Sequence, residues 1–230
     1  MWLLLFLVVA VGIIAHYNLR PLPKSGTSAS ILETSASSLP DYSGNAVIEL
    51  NGGIPCFTEE DLRITGAYYS ELDHLKRCGT AVAMLDRTMM PTEEREEIGD
   101  IKPSGWVQKK YPGIVDSEPP YLYNRCYLIA YAMTGQNANE RNLITGTRYM
   151  NMAMLPYEKQ VLRYLDASDQ HHVLYRVTPY FEESELVVRG VELEAYSVDD
   201  RDVCFHVFVY NVQPGIEIDY QSGESNISST

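Results

Sequence analysis

The chain is short of cysteine, of phenylalanine and of positive charge, and each shortage excludes something. Its four cysteines, Cys56, Cys78, Cys126 and Cys204, are scattered at intervals that match no zinc-ligand pattern. In an exported protein they could form disulfides. A small buried thiol is the simpler reading, above all for Cys204 inside an apolar strand. Five phenylalanines stand against 17 tyrosines, which favours a β-rich, partly wet interior. Eighteen Lys and Arg face 31 Asp and Glu, a net charge of −13. Such a chain repels nucleic-acid phosphate at long range. Any site that handles phosphate must therefore find its positive charge locally or take it from a metal ion. There are no internal repeats, so solenoids and propellers are excluded.

What is present begins with an apolar run, Trp2 to Ala15, that carries no charge. As a helix it would span about 21 Å, short of a hydrocarbon core of about 30 Å unless extended through Tyr17 and Leu19. The basic residues expected before a signal core are missing, and Arg20 and Lys24 follow instead. Residues 1–19 read as a signal or a membrane anchor, with a buried core helix as the blander alternative. Residues 20–45, rich in Ser, Pro and Gly, read as a flexible linker. A folded domain over 46–221 and a loose polar tail over 222–230 complete the expected organisation.

Within the domain, AVIEL (46–50), Asn51-Gly52-Gly53 and IPCF predict a hairpin, and Thr58 to Asp61 a capped turn. Residues 80–85 predict a short buried strand, 92–97 a solvated turn, and the proline- and glycine-rich 103–121 an irregular connection. Tyr157 to Leu165 predicts a helix with Pro156 in its first turn. Strands follow over 172–181, 186–197 and 203–211, with an edge strand over 215–220. The fold class is α+β: a mainly antiparallel sheet with one clear helix and long loops.

Residues 121–151, YLYNRCYLIAYAMTGQNANERNLITGTRYMN, carry the chemistry. They hold five asparagines and three arginines but one carboxylate, Glu140. An oxygen-lined site with few charges suits Mg²⁺, which takes few protein ligands and keeps most of its waters. Guanidinium groups beside it would hold phosphate. From spacing alone, Asn and Gly together mark turns more often than ligands.

From Ala46 to about Tyr220 the sequence resembles the DNA/RNA non-specific endonucleases of the ββα-metal class, in the DNA-entry nuclease branch. The resemblance is carried by CFTEEDL (56–62), MPTEERE (90–96), DIKPSGW (100–106), YLYNRC (121–126), TGQNANERNLITGTRYMN (134–151), MLPYEKQV (154–161), VLYRVTPYF (173–181) and VFVYNVQPGIEIDY (207–220). It implies a ββα-metal site and Mg²⁺-dependent hydrolysis of DNA with little sequence preference, with RNA as a further substrate and Mn²⁺ as an alternative ion. Asn124-Arg125-Cys126-Tyr127 stands at the family's Asp/Asn-Arg-Gly-His motif. By position, Asn151 is then the metal ligand, Asn142 the supporting amide and Glu158 the carboxylate that orients water. Arg125 and Arg148 become the phosphate-side arginines, with Arg163 a weaker candidate. The departure is Tyr127, where the family has the histidine that acts as general base. A phenol with a pKa near 10 is a poor base at neutral pH, and losing a general base costs about 10²–10⁴ in rate. Tyr127 reads as a loss-of-function change, as a phenolate lowered by a metal, or as a position bypassed by His171, His172 or His206. The alternative function is an inactive nuclease fold that binds nucleic acid or a protein. Oligomeric state is not legible, and membrane contact would come through the N-terminal segment.

Overall fold

A computed structural model describes residues 40–229. The expected anchor and most of the expected linker therefore lie outside the described residues. Among the described residues no helix is long and apolar enough to cross a membrane.

The core is a six-stranded antiparallel sheet in the order β1-β8-β7-β6-β3-β2. Its strands are β1 (Val47–Glu49), β2 (Gly66–Tyr69), β3 (Ala81–Leu85), β6 (Val173–Tyr180), β7 (Gly190–Ser197) and β8 (Cys204–Tyr210). The period-2 pattern explains it: Ala81, Ala83 and Leu85 are fully buried while Val82 and Met84 are partly so. Pro179 is tolerated in central β6 because it lies beyond Val177, the last residue there to pair with β3.

Two smaller hairpins complete the domain. One is β4 (Tyr123–Tyr127) with β5 (Leu143–Thr147), separated by a four-residue helix α1 (Tyr131–Thr134). The other is β9 (Ile216–Ile218) with β10 (Ser225–Ile227). A 20-residue helix α2, Arg148–Ala167, follows β5 directly and packs on the main sheet through Met150, Met154, Val161 and Leu165. The other face of the sheet is covered by Phe57, Leu62 and Ile64 from the segment after β1.

Several expectations are corrected. The AVIEL–IPCF hairpin does not form; β1 pairs with β8 and the glycines make a 3-10 turn. The helix starts nine residues before Tyr157, so Pro156 is interior and not in the first turn. An interior proline costs a helix about 3 kcal/mol. Here both Pro156 and Met152, whose carbonyl loses its partner, face solvent, so water can replace the bond. Residues 215–220 do not edge the main sheet. They pair instead with the segment expected to be a loose tail, which is tied down by Tyr123 Oη donating to the Gly223 carbonyl at 3.0 Å. Gly223 admits no side chain, because a Cβ there would lie 1.9 Å from the Gly105 carbonyl oxygen. All four cysteines are free thiols, and Cys204 is exposed at the start of β8, not buried. Within the expected linker, Pro40 is held by the Tyr210 hydroxyl, which donates to its carbonyl at 2.5 Å.

Candidate active site

The segment with few carboxylates folds as strand, strand, helix: β4, β5 and then α2 without a connecting loop. The join is stitched at Thr147. Its hydroxyl caps α2 by accepting from Met150 N–H at 3.0 Å and donates to the Val212 carbonyl at 2.6 Å. Its own N–H donates to Asn211 Oδ1 at 2.8 Å. Asn211 is fully buried, and its amide nitrogen also donates to the carbonyls of Thr145 (3.0 Å) and Val188 (2.8 Å). Asn211 thereby fixes the end of β5 to the main sheet. Sequence reading missed it; its one signal was an asparagine following an otherwise apolar strand.

Strand alternation divides the Asn124–Tyr127 motif between two faces. Cys126 points toward α2, close to Glu158 and Arg148. Gly146 makes the approach possible, since a Cβ there would lie 2.5 Å from Cys126 Sγ. Asn124 shares this face, and its amide nitrogen is buried without a partner. Arg125 and Tyr127 lie on the other face. Arg125 donates to the carbonyls of Ile101 and Gly99 and stacks over Trp106 at 4.3 Å. Its guanidinium is spent on the 99–106 loop. The Tyr127 hydroxyl donates to the Asn137 carbonyl at 2.9 Å, a bond that requires the phenol's hydrogen.

On α2, Arg148, Asn151, Leu155 and Glu158 fall within an arc of about 80° along one side of the buried face. Asn151 sits in the first turn, where the helix dipole favours anions, and Glu158 about 10 Å further along. The Asn151 amide and the Glu158 carboxylate make no side-chain hydrogen bond among the described residues. Arg148 donates to the Asp116 carbonyl at 3.3 Å and pairs with no carboxylate among the described residues. Burial pushes the Glu158 carboxyl up to about 7. Burial, and after it the charge of Glu158, also hold the Cys126 thiol and the Tyr175 phenol well above their ordinary values. Tyr175 stands on β6 between Ala83 and Ala195, fully buried, with an unpartnered hydroxyl.

Two further predicted residues stand apart from this stripe. Arg163 is exposed and turned about 120° around α2 from Asn151, because twelve residues do not complete a whole number of turns plus a short step back. Asn142 is fully buried and both ends of its amide serve Ile129: Oδ1 accepts from its N–H and Nδ2 donates to its carbonyl, each at 2.9 Å. It holds the hairpin and offers no unspent group. No histidine occurs between residues 123 and 167. His206 lies on the opposite sheet face, and His171 is stacked on Tyr164 with Nδ1 against that residue's carbonyl.

The donor set suits a hard divalent ion. Asn151 and Glu158 offer oxygen, and the nearby sulfur of Cys126 is sealed and protonated. The Tyr175 hydroxyl near Glu158, and the Asn124 amide on the Cys126 face of β4, are buried polar groups that the protein alone leaves unsatisfied.

Comparison with known proteins agrees with this ββα arrangement. A deoxyribonuclease of Streptococcus dysgalactiae subsp. equisimilis is 24% identical over 206 residues, 72% of this chain and 62% of that protein. The chain thus spans less than two thirds of that relative's length. NucA from Streptococcus agalactiae with magnesium bound is 28% identical, with a TM-score of 0.71 over 88% of this chain and 97% of that one. Sda1 nuclease with bound zinc is 27% identical, with a TM-score of 0.60 over 73% and 82%. Residues 58–199, which contain β4, β5 and α2, match the model of the DNA/RNA non-specific endonuclease domain. The chain belongs to the DNA/RNA non-specific endonuclease family.

Proposed function

We propose that this protein is a divalent-metal-dependent endonuclease that hydrolyses DNA phosphodiester bonds with little sequence preference, accepts RNA as well, and is slowed by Tyr127. The observation that carries the reading is the stripe of Arg148, Asn151 and Glu158, with unspent polar groups, on a helix that continues directly from a two-stranded hairpin. Mg²⁺ is the ion the oxygen donors suit, with Mn²⁺ as a substitute. When bound it supplies positive charge to a phosphate oxygen and to the departing 3′ oxygen. Asn151 would hold it through its amide oxygen. Glu158, without a partner of its own, would orient a water beside it. Arg148 would hold the phosphate and supply the local positive charge that a chain of net charge −13 otherwise lacks. These groups face sugar and phosphate, not base edges, which accounts for low sequence preference.

The base is the weak part. Tyr127 is a phenol whose hydrogen is engaged by a carbonyl, so water attacks without an efficient proton acceptor. The apolar segment Trp2 to Ala15 supports a site of action outside the cell, by secretion or by a membrane tether. Plasmid digestion with Mg²⁺, with and without chelator, tests the reading on the wild type and Tyr127→His. A chelator-sensitive activity that rises by about 10²–10⁴ in Tyr127→His is expected. If neither protein cuts DNA or RNA in either Mg²⁺ or Mn²⁺, the nuclease reading fails. If the wild type already matches the variant, the role given to position 127 fails.

A further inference from the structure

A second cluster lies on the sheet face opposite α2, under the segment that follows β1. Ligand atoms of Cys56, Glu194 and His206 all come within 4.8 Å of one another. Cys56 Sγ is 3.9 Å from His206 Nδ1. The Cys56 N–H donates to Glu194 Oε1 at 2.6 Å, which fixes the loop against the sheet. Glu194 and His206 are opposite one another on β7 and β8, and both are almost wholly buried.

The cluster has the features of a transition-metal site. Sulfur, imidazole and carboxylate together suit Zn²⁺. With metal–ligand bonds of about 2.0–2.3 Å, tetrahedral neighbours stand roughly 3.3–3.8 Å apart, so the sulfur–nitrogen separation needs to close by a few tenths of an ångström. His206 Nε2 is engaged by Glu192 Oε1 at 2.5 Å, the carboxylate contact that orients a ligating imidazole and leaves Nδ1 to face the ion. Nδ1 otherwise rests against the Ile54 carbonyl at 3.0 Å, so binding would exchange that contact for the metal. The Asn51 amide donates to Cys56 Sγ at 3.7 Å. Glu192, Glu194 and Asp61 meet the guanidinium of Arg176, which donates to Glu194 at 2.7 Å and lies 3.5 Å from Asp61, and the His206 ring, from whose Nδ1 an arriving ion would displace a proton. Cys56 is half-buried and leaves one side of the site open to water.

We infer that Cys56, Glu194 and His206 form a zinc site, separate from the nuclease centre, that pins the loop after β1 to the back of the sheet. Cys56 and His206 are 150 residues apart, which is why no spacing motif announces it.

The test is a cobalt titration of the reduced, chelator-treated full chain, followed by absorbance. Wild type should show a near-ultraviolet sulfur-to-cobalt charge-transfer band that saturates at one equivalent and is bleached by Zn²⁺, apart from any Co²⁺ taken up without such a band by the oxygen-lined nuclease centre. Cys56→Ser should lose that band, whereas Asn151→Ala and Cys204→Ser should keep it. In parallel, Zn²⁺ at a hundredfold excess over its Kd should raise the wild-type Tm by about 5–10 °C. Cys56→Ser, with a metal-free Tm close to wild type, should show no such rise. Absence of the band in wild type, or a band that survives Cys56→Ser, overturns the site; the residues are then a salt-bridged network held by protons and Arg176.

Discussion

Thr147 and Asn211 are joined by a hydrogen bond of 2.8 Å from the backbone N–H of Thr147 to the side-chain oxygen of Asn211. One residue later the helix that bears Asn151 begins. The bond thus links the main sheet to the exact turn on which the proposed metal ligand rides, and it places Asn211 in control of a geometry it does not touch.

Replacing Asn211 should therefore cost more than a buried hydrogen bond usually does. Asn211→Leu leaves the Thr147 N–H and the carbonyls of Thr145 and Val188 without partners inside the protein. A loss of about 3 kcal/mol in stability is expected, read by urea denaturation. At temperatures where the variant is still fully folded, its Mg²⁺-dependent cleavage should also drop. Unchanged cleavage would show that the start of α2 is held well enough by the Thr147 cap alone.

Tyr127→Phe separates a base from a spacer. The change removes the hydroxyl and its bond to the Asn137 carbonyl, a partly exposed contact worth about 1 kcal/mol. If Tyr127 takes no proton in the reaction, residual cleavage of Tyr127→Phe stays within about twofold of wild type. A loss of tenfold or more, seen in a single-turnover assay, would mean that the phenol does chemistry despite its bond to a carbonyl.

Much of this architecture could be read from residue pattern. The strands around Tyr175, Leu193 and Val207 alternate or run apolar, and they were found within a few residues of their expected ends. The start of α2 could not be read, because Thr145-Gly146-Thr147 looks like a turn and Pro156 imitates a helix opening. Tertiary contacts decide both: Gly146 is a glycine to admit Cys126, and Pro156 sits where solvent replaces its missing bond. For the site, the family resemblance named Arg148, Asn151 and Glu158, but the helix expected over 157–165 held only the last of them, whereas α2 carries all three. They could not show that Asn142 spends its amide on Ile129, nor that Arg125 spends its guanidinium on a loop. Those partners are backbone atoms, and any sequence supplies them.

The two helix arginines should behave differently. Arg148 flanks Asn151 and has no carboxylate partner among the described residues, while Arg163 faces solvent on another side of α2. Arg148→Ala should weaken DNA binding at every sequence and reduce the slope of log K against log salt by about 1. Arg163→Ala should leave both the slope and the cleavage rate unchanged within error. Equal effects from the two would place the DNA across the exposed side of α2, against the stripe proposed here.

Glu158 gives a pH test with a definite sign. Its carboxyl titrates near 4.5 in an unfolded chain and near 7 in the folded one, because burial disfavours the charged form. As pH rises between those values the unfolded chain releases the proton first, so the native state loses stability across this window. Glu158→Gln removes the titrating group. With chelator present, the variant should match wild type at pH 4.5 and exceed it at pH 8 by roughly 1–3 kcal/mol in urea denaturation, the lower end reflecting partial contact with water. Mg²⁺ should narrow the gap at pH 8 by stabilising the wild-type carboxylate and doing less for the amide. A gap of the same size at both pH values would show that the variant's gain comes from packing, and that the Glu158 carboxylate is not the strained, unpartnered group on which the proposed ion site depends.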